Sequence, residues 1–515
     1  MQTRGIGNEN NSNNRTGGRR LTYHVLAILA PQMVLLVTVA LLGLTSKVRT
    51  GGSQSVSAMI CFTGMVVAAL VQLRLYVPVF AAGRVTTLPA WMVLDPMAWI
   101  LTVAIFLIAT VAVLTRRLRN STGHGDLRFC LLITISTLGW SIMPALHSLP
   151  LIAASMLLGS LPLAWLSTFG YRNNWLITLM LLTALAVMLL ALGSLVAGGL
   201  GVRHANALIH LAKAPPVWTG ILMVLFMMPI LFWIGSLPLV WWYGEVAGNT
   251  PAPGAFFMLL APGVASLGTY LRIIHSLTDN NPVAAGIVIP VMIAAGILAL
   301  AAYGIRAVFQ TVVPDILGNI VGILAACTFV TLTVGMSAVQ PNAAQAVACV
   351  LLYALTAGIA MGSAAGIFGR QTLGLNQQWP VFARMKKLHA LMLVLALLSL
   401  GGLPPTLGSL ARMQCLQTVG LVSVPGMLVL IANTLAILFG SGAAMRVAAY
   451  AIMGVPEVPN RPMEATTVKR RRPPRMATGT LLLLLTACML NALALLAYYP
   501  IQQIATAFAP AWVSR

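Results

Sequence analysis

Long apolar runs alternate with short polar connections along almost the whole chain. A helix that crosses the hydrocarbon of a bilayer needs about 20 apolar residues. Runs that satisfy this length fall at 21–45, 55–81, 90–115, 129–148, 150–170, 175–200, 216–243, 254–274, 282–308, 316–338, 343–368, 387–412, 416–450 and 477–499. Read with that ruler, the pattern predicts an all-α polytopic membrane protein with about 14 transmembrane helices. The division at Pro150 is the weakest, because two short segments there could be one long one.

Composition agrees with the pattern. The apolar fraction is 59%, the charged fraction 7% and the mean hydropathy +0.93. Soluble domains are roughly a quarter charged, so a water-soluble fold is excluded. The net charge of +22 comes from 30 Lys and Arg against 8 acids. In a soluble chain that excess would suggest nucleic acid. Here the bases lie in connections: Arg116, Arg117 and Arg119; Arg203, His204, His210 and Lys213; Arg384, Lys386 and Lys387; and Lys469 to Arg472 with Arg475. Bases so placed set topology and meet anionic lipid head groups such as those of cardiolipin. Nucleic-acid binding is therefore not expected. Absolute orientation depends on the division at Pro150 and stays open.

The acids change the picture most. Proton and cation transporters usually keep buried Asp or Glu inside their spans. In this chain Glu9, Asp126, Asp279, Asp315, Glu457 and Glu464 fall in segments that read as connections or termini. Asp95, beside Pro96, and Glu245 come close to spans. A buried Asp95 would need a base, and Arg74 on the preceding span is a candidate partner. The six cysteines are scattered, and no pair has metal-ligand spacing, so neither zinc nor an iron–sulfur cluster is indicated.

Breakers and polar stretches suggest an organisation. Residues 1–20 form a basic leader without a secretory apolar core, compatible with mitochondrial import or with a disordered tail. Helices 1–3 occupy 21–128. Two five-helix units follow at 129–274 and 282–450, then a Pro-rich basic linker at 451–476 and a terminal helix at 477–499. The seventh span contains Pro229 and Pro238, and the twelfth contains Gly401-Gly402-Leu403-Pro404-Pro405. Proline removes a backbone donor and clashes with the preceding turn, so both helices should be kinked or broken. Breaks at matching places in two five-helix units point to inverted repeats.

Two of these stretches carry a family resemblance. Pro238-Leu-Val-Trp-Trp-Tyr-Gly-Glu245-Val-Ala-Gly-Asn-Thr250-Pro251 resembles the pattern Pro-x-His-x-Trp-x-Pro-Glu/Asp-Val-x-x-x-Thr/Ala-Pro. Leu397-Leu-Ser-Leu-Gly-Gly-Leu-Pro-Pro-Thr-Leu-Gly-Ser-Leu-Ala-Arg412 resembles Leu-Ser-Leu-Gly-Gly-Leu-Pro-Pro-x-x-Gly-Phe-x-x-Lys. A weaker match is Ser160-Leu-Pro-Leu163. These are patterns of the antiporter-like membrane subunits of respiratory complex I, and the Gly-Gly-Leu-Pro-Pro form resembles the branch of subunit 2, the bacterial chain N. The resemblance implies two inverted five-helix repeats with broken helices 7 and 12. It also implies a row of buried charges along the membrane midplane: an acid on the fifth helix and lysines on the seventh, eighth and twelfth.

Matched on those motifs, the chain departs from the row. The acid falls on Leu157, the seventh-helix lysine on Trp233, and the eighth-helix lysine on Pro262 or Gly263. The family histidine two residues after Pro238 is Val240. The twelfth-helix lysine is replaced by Arg412, whose guanidinium holds its proton too firmly to be a good proton carrier. Arg412 reads as a fixed electrostatic element or as a helix-end cation snorkelling to the interface. Glu245 follows Trp241-Trp242-Tyr243, which reads as an aromatic belt near a boundary, and suits capping or pairing with a nearby Arg. His275, His210 and Lys213 are further proton-path candidates, or simply interfacial.

The resemblance implies a membrane-arm subunit of NADH:ubiquinone oxidoreductase with a degenerate or absent proton path, packed against other membrane-arm subunits. NADH, FMN, iron–sulfur clusters and ubiquinone would be bound elsewhere in the complex, since no dinucleotide loop, cysteine cluster, flavin or quinone motif is evident here. The alternatives are a stand-alone cation/proton antiporter or a membrane hydrogenase subunit. The basic leader and the subunit-2-like motif suggest the mitochondrial inner membrane, with a bacterial plasma membrane as the alternative.

Overall fold

The structure is a computed structural model that describes residues 29–45, 53–74, 86–87, 92–117, 125–168, 175–197, 215–236, 240, 242–337, 343–368, 387–404, 406–419 and 424–453. The leader, the terminal helix expected at 477–499, all but the start of the expected linker, and His210, Lys213, Pro238 and Pro405 lie outside the described residues.

Three helices come first: α1 (Ala30–Thr45), α2 (Ser53–Arg74) and α3 (Pro96–Arg117). Two five-part sets follow. The first is α4 (Gly125–Ile142), α5 (Leu149–Thr168), α6 (Trp175–Leu195), a broken pair α7 (Pro216–Ile234) and α8 (Trp242–Asn249), and α9 (Ala252–Asn280). The second is α10 (Pro282–Phe309), α11 (Val313–Ser337), α12 (Ala343–Phe368), a broken pair α13 (Lys387–Gly401) and α14 (Leu407–Val419), and α15 (Val424–Met453). The break is in the fourth member of each set. An odd number of crossings delivers the chain to the opposite face, so the second set is inverted relative to the first.

Ten helices among the described residues are long and apolar enough to cross a membrane, and Ala30–Thr45 and Leu181–Leu195 are shorter apolar helices. The doubtful division at Pro150 is resolved into two helices, α4 and α5, separated by a 3-10 turn at Met143–Ala145. One further expectation is corrected. Asp126 lies in α4, Asp279 in the last turn of α9 and Asp315 in the first turn of α11, not in connections. The all-α architecture carries one small addition: β1 (Thr86–Thr87) and β2 (Val93–Leu94) form a short antiparallel pair, and Met92 bridges to Leu146.

The apolar windows of α9 and α11 are buried throughout, so these two helices form the axis of the molecule. Apolar side chains on α1, α2, α10 and α15 remain exposed, among them Val37, Leu70, Leu298 and Leu438. These faces meet lipid, which is as apolar as leucine, so inter-helix contact must come from close packing. Small residues supply it. A Cβ on Gly139 would lie 2.3 Å from the Gly159 nitrogen, which brings α4 and α5 into backbone contact. Ser136 on α4 donates to the Gly159 carbonyl at 2.7 Å. At the axis, a Cβ on Gly318 would lie 2.5 Å from the Tyr243 carbonyl, so α8 rests directly on α11.

Candidate functional site

The two helix breaks are built alike. At the end of α7, Gly235 adopts φ 78° and the Ser236 N–H donates to the Leu231 carbonyl at 2.8 Å. At the end of α13, Gly402 adopts φ 81° and the Leu403 N–H donates to the Leu398 carbonyl at 3.0 Å. Both are left-handed glycine caps that stop a helix. Pro229 does not break its helix: α7 runs through it, and the break comes six residues later at glycine. Pro404 lies in the turn after α13, also past the glycine. The expectation that proline makes the breaks is corrected to this extent. Proline bends a membrane helix whose freed groups find partners, whereas a positive φ reverses the chain direction.

A stopped helix leaves carbonyls without partners, here inside the membrane. The second helix of each pair supplies donors. The Trp242 indole donates to the Phe232 carbonyl at 2.8 Å, and the Tyr243 hydroxyl to the Trp233 carbonyl at 3.0 Å. At the other break, Arg412 Nη2 donates to the Leu400 carbonyl at 2.9 Å. Trp233 and Leu400 each stand two residues before the positive-φ glycine, so Tyr243 and Arg412 do the same job in the two repeats.

Among the described residues, the side chains packed in the core around the first break are aromatic. The Trp233 ring lies 5.2 Å from Trp140 and 5.3 Å from Trp242, both edge to face. Trp242 packs on Tyr243 at 4.7 Å, and Tyr243 faces Tyr303 at 5.8 Å. The hydroxyls of Tyr243 and Tyr353 both reach the Leu259 carbonyl at 3.4 Å, three residues before Pro262 in α9. Trp242 and Tyr243 are fully buried, which corrects their reading as an interfacial belt. Leu157 is partly buried on α5 and packs against the same core. Trp140, which faces Trp233, also lies against the Gly159 position on the same helix as Leu157. Leu157, Trp233 and Pro262 thus occupy apolar surroundings in which a lone charge would be strongly disfavoured.

Arg412 is only 3% exposed. It therefore does not snorkel to an interface. A Cβ on Gly402 would lie 2.3 Å from Arg412 Nε, so the glycine makes room for the guanidinium. Nε and Nη1 of Arg412 have no hydrogen-bond partner among the described residues.

A buried ion pair lies elsewhere. Asp95 and Arg272, each 2% exposed at the side chain, meet at 2.8 Å. Arg272 Nη2 donates to both carboxylate oxygens, and Arg272 Nη1 lies 2.5 Å from His147 Nε2. Asp95 also caps α3, accepting the Ala98 N–H at 2.8 Å. The base found on Asp95 is Arg272 on α9, not the expected Arg74. Arg272 was a readable signal: a lone base inside the apolar run 254–274, with no acid in that run.

The remaining candidates are peripheral. Glu245 lies in the first turn of α8 and approaches Arg306 at 4.0 Å, the side chains being 50% and 30% exposed. His275 Nδ1 lies 3.4 Å from Asp279 one turn on. No group of three metal-ligating side chains occurs among the described residues.

No family model matches the chain. Among curated proteins it is 25% identical over 400 residues to NADH-quinone oxidoreductase subunit N of Azorhizobium caulinodans, covering 75% of this chain and 80% of the relative. It is 25% identical over 431 residues to NADH-quinone oxidoreductase subunit N 1 of Streptomyces griseus, covering 80% and 86%. Among solved structures, a chain of respiratory complex I from Thermus thermophilus superposes with a TM-score of 0.70 at 18% identity, covering 92% of this chain and 98% of that one. A chain of the Mrp complex from Dietzia gives 0.72 at 17% identity, covering 94% and 52%. A chain of an archaeal membrane-bound sulfane sulfur reductase gives 0.75 at 13%, covering 94% and 97%. The structural likenesses establish the fold, that of the antiporter-like membrane subunits, and over 75% to 80% of its length the chain is similar in sequence to NADH-quinone oxidoreductase subunit N.

Proposed function

We propose that the chain serves in the membrane arm of a respiratory NADH:quinone oxidoreductase, and that its own proton path is degenerate or absent. The observation that carries the second part is the packing at Trp233. A lysine relay works because burial lowers the lysine pKa and a nearby carboxylate raises it, so moving the pair loads and releases a proton. Trp233 is instead enclosed by Trp140 and Trp242, and the matching acid position is Leu157. Arg412 keeps its proton and acts as a fixed charge.

The partners would be the neighbouring membrane-arm subunits and anionic lipid such as cardiolipin. NADH, flavin, iron–sulfur clusters and quinone would bind to other chains. The bacterial origin of the curated relatives supports a bacterial plasma membrane. The basic leader and the Gly-Gly-Leu-Pro-Pro motif remain the grounds for a mitochondrial inner membrane.

Gentle detergent extraction, native gel separation and an in-gel NADH-oxidation stain, with mass spectrometry for this chain, test the assignment. Migration in a very large NADH-active band supports it. Migration alone, or with a few membrane partners and no NADH activity, overturns it. The likeness to a chain of the Mrp complex favours one second reading, a stand-alone cation/proton antiporter. Such a carrier needs its own ion-binding acid at mid-membrane, and Leu157 and Trp233 weigh against it.

A further inference from the structure

His147 stands in the short connection between α4 and α5, where three segments from distant parts of the chain converge. Asp95 begins α3, Arg272 lies on the axial helix α9, and Leu146 bridges to Met92. A guanidinium has donors only. The contact between Arg272 Nη1 and His147 Nε2 therefore requires Nε2 to accept, which makes the ring neutral with its proton on Nδ1. We propose that His147 is a proton-binding site, and that a proton taken at Nε2 releases the α4–α5 hairpin from α9.

The chemistry of the cluster sets the outcome. Asp95 neutralises Arg272 at 2.8 Å, so an arriving proton does not meet an uncompensated cation. Once on Nε2 it removes the acceptor of the Arg272 bond, and the imidazolium competes with the guanidinium for the same carboxylate. Asp95 is held by the Ala98 N–H and cannot follow both. Because Gly139 and Gly159 press α4 and α5 into backbone contact, the hairpin moves as one piece. It carries Leu157 and Trp140, so the latch acts on packing around the first break.

Among the described residues the charged surroundings can be named element by element. On α9, His275 and Asp279 lie one and two turns beyond Arg272 and lead outward to solvent. Arg74 closes α2 at this end, where the Trp99 indole donates to the Gln72 carbonyl at 2.6 Å. α12, which packs on α3 and α9, has only Tyr353 and Cys349 as titratable residues, and α5 has none. α11 meets this level at Thr333, bonded to the Tyr270 hydroxyl. Its acid Asp315 lies about 27 Å away along the helix axis. The proposal does not depend on the respiratory assignment.

Hydrogen–deuterium exchange of the full chain in lipid nanodiscs tests it. Exchange of peptides covering 143–152 is compared at about pH 8 and about pH 5.5, after correction for intrinsic rates, in the native chain and in His147→Gln. The glutamine oxygen can accept from Arg272 but does not titrate. The proposal expects a rise of about tenfold on acidification in the native chain and none in His147→Gln. A native chain that shows no rise, or a variant that rises equally, overturns it. Histidine-labelled NMR of the native chain gives an independent readout. A ring that passes from the Nδ1–H tautomer to the cation supports the latch, and one that stays neutral throughout overturns it.

Discussion

Arg412 donates through Nη2 to the Leu400 carbonyl 2.9 Å away, across a break closed by Gly402. The bond places a guanidinium on the carbonyl end of α13, where the helix dipole is negative. That is a structural use of a position where the sequence resemblance implies a lysine. The same relationship, with Tyr243 and Trp233 in the corresponding places, needs no charge at all.

Arg412→Met should therefore fold and should not lower the midpoint of thermal unfolding in detergent. The charge is desolvated, and two of its nitrogens lack partners among the described residues. Replacing a buried ion with an apolar side chain of similar volume is often neutral or stabilising by about 1–4 kcal/mol. A large fall in the midpoint would show that the bond to Leu400 outweighs the desolvation. In the assembled complex, the proton-to-electron ratio should be unchanged by the same substitution.

Asp95→Ala should be severely destabilising, because it leaves Arg272 buried without its carboxylate. Breaking one side of a buried pair costs about 3–5 kcal/mol. Asp95→Ala combined with Arg272→Met should lose less than the two single variants added together. A double-mutant cycle on thermal unfolding measures that coupling, and strict additivity would contradict the pairing.

Gly159→Ala should separate α4 from α5. The new methyl would lie 2.7 Å from the Trp140 ring, and overpacking of this kind costs about 1–3 kcal/mol. Ser194→Ala, at an exposed site on α6, is the control expected to be close to neutral in the same unfolding assay.

Arg446→Ala should loosen the end of α10. Its guanidinium donates to the Val308 carbonyl at 2.7 Å and also to the carbonyls of Ala307 and Gln310, which caps the helix from α15. Charged hydrogen bonds of this kind contribute roughly 1.5–3 kcal/mol. Faster hydrogen exchange confined to peptides around 305–312 would confirm the role.

Trp233→Lys should be poorly tolerated alone, since it buries a charge among aromatic rings with no carboxylate opposite. Adding Leu157→Glu should recover part of the loss if α5 and α7 face each other as the resemblance implies for an acid–lysine pair. Yield of folded protein in size-exclusion chromatography reads both variants, and no recovery would mean that the two positions have drifted out of reach.

Much of the architecture was legible in the chain. Every apolar run between 21 and 450 corresponds to a helix or a broken pair, because a bilayer forces each run to satisfy its own backbone. Both breaks were legible as well, although Gly235 rather than Pro229 makes the first. Leu157, Trp233 and Pro262 could be named from short motifs as the places where the resemblance implies charges, and the structure shows their surroundings to be apolar. His210 and Lys213 could be named but lie outside the described residues. The aromatic residues before Glu245 misled, because a Trp-Trp-Tyr run has the same composition at an interface and in a core.

The sequence by itself determined that this protein lives in a membrane, that it is helical, and that its two halves repeat. These follow from hydrophobic length and local motifs, which do not depend on which helix lies beside which. Only the tertiary structure decided where the remaining charges go. Asp95 and Arg272 are 177 residues apart, and nothing local to either names the other. Arg412 reads in the sequence as a fixed charge or as an interfacial cation, and only the packing of several helices around α14 buries it. Partner choice is a property of helix neighbours and rotations, and an apolar run leaves both undetermined.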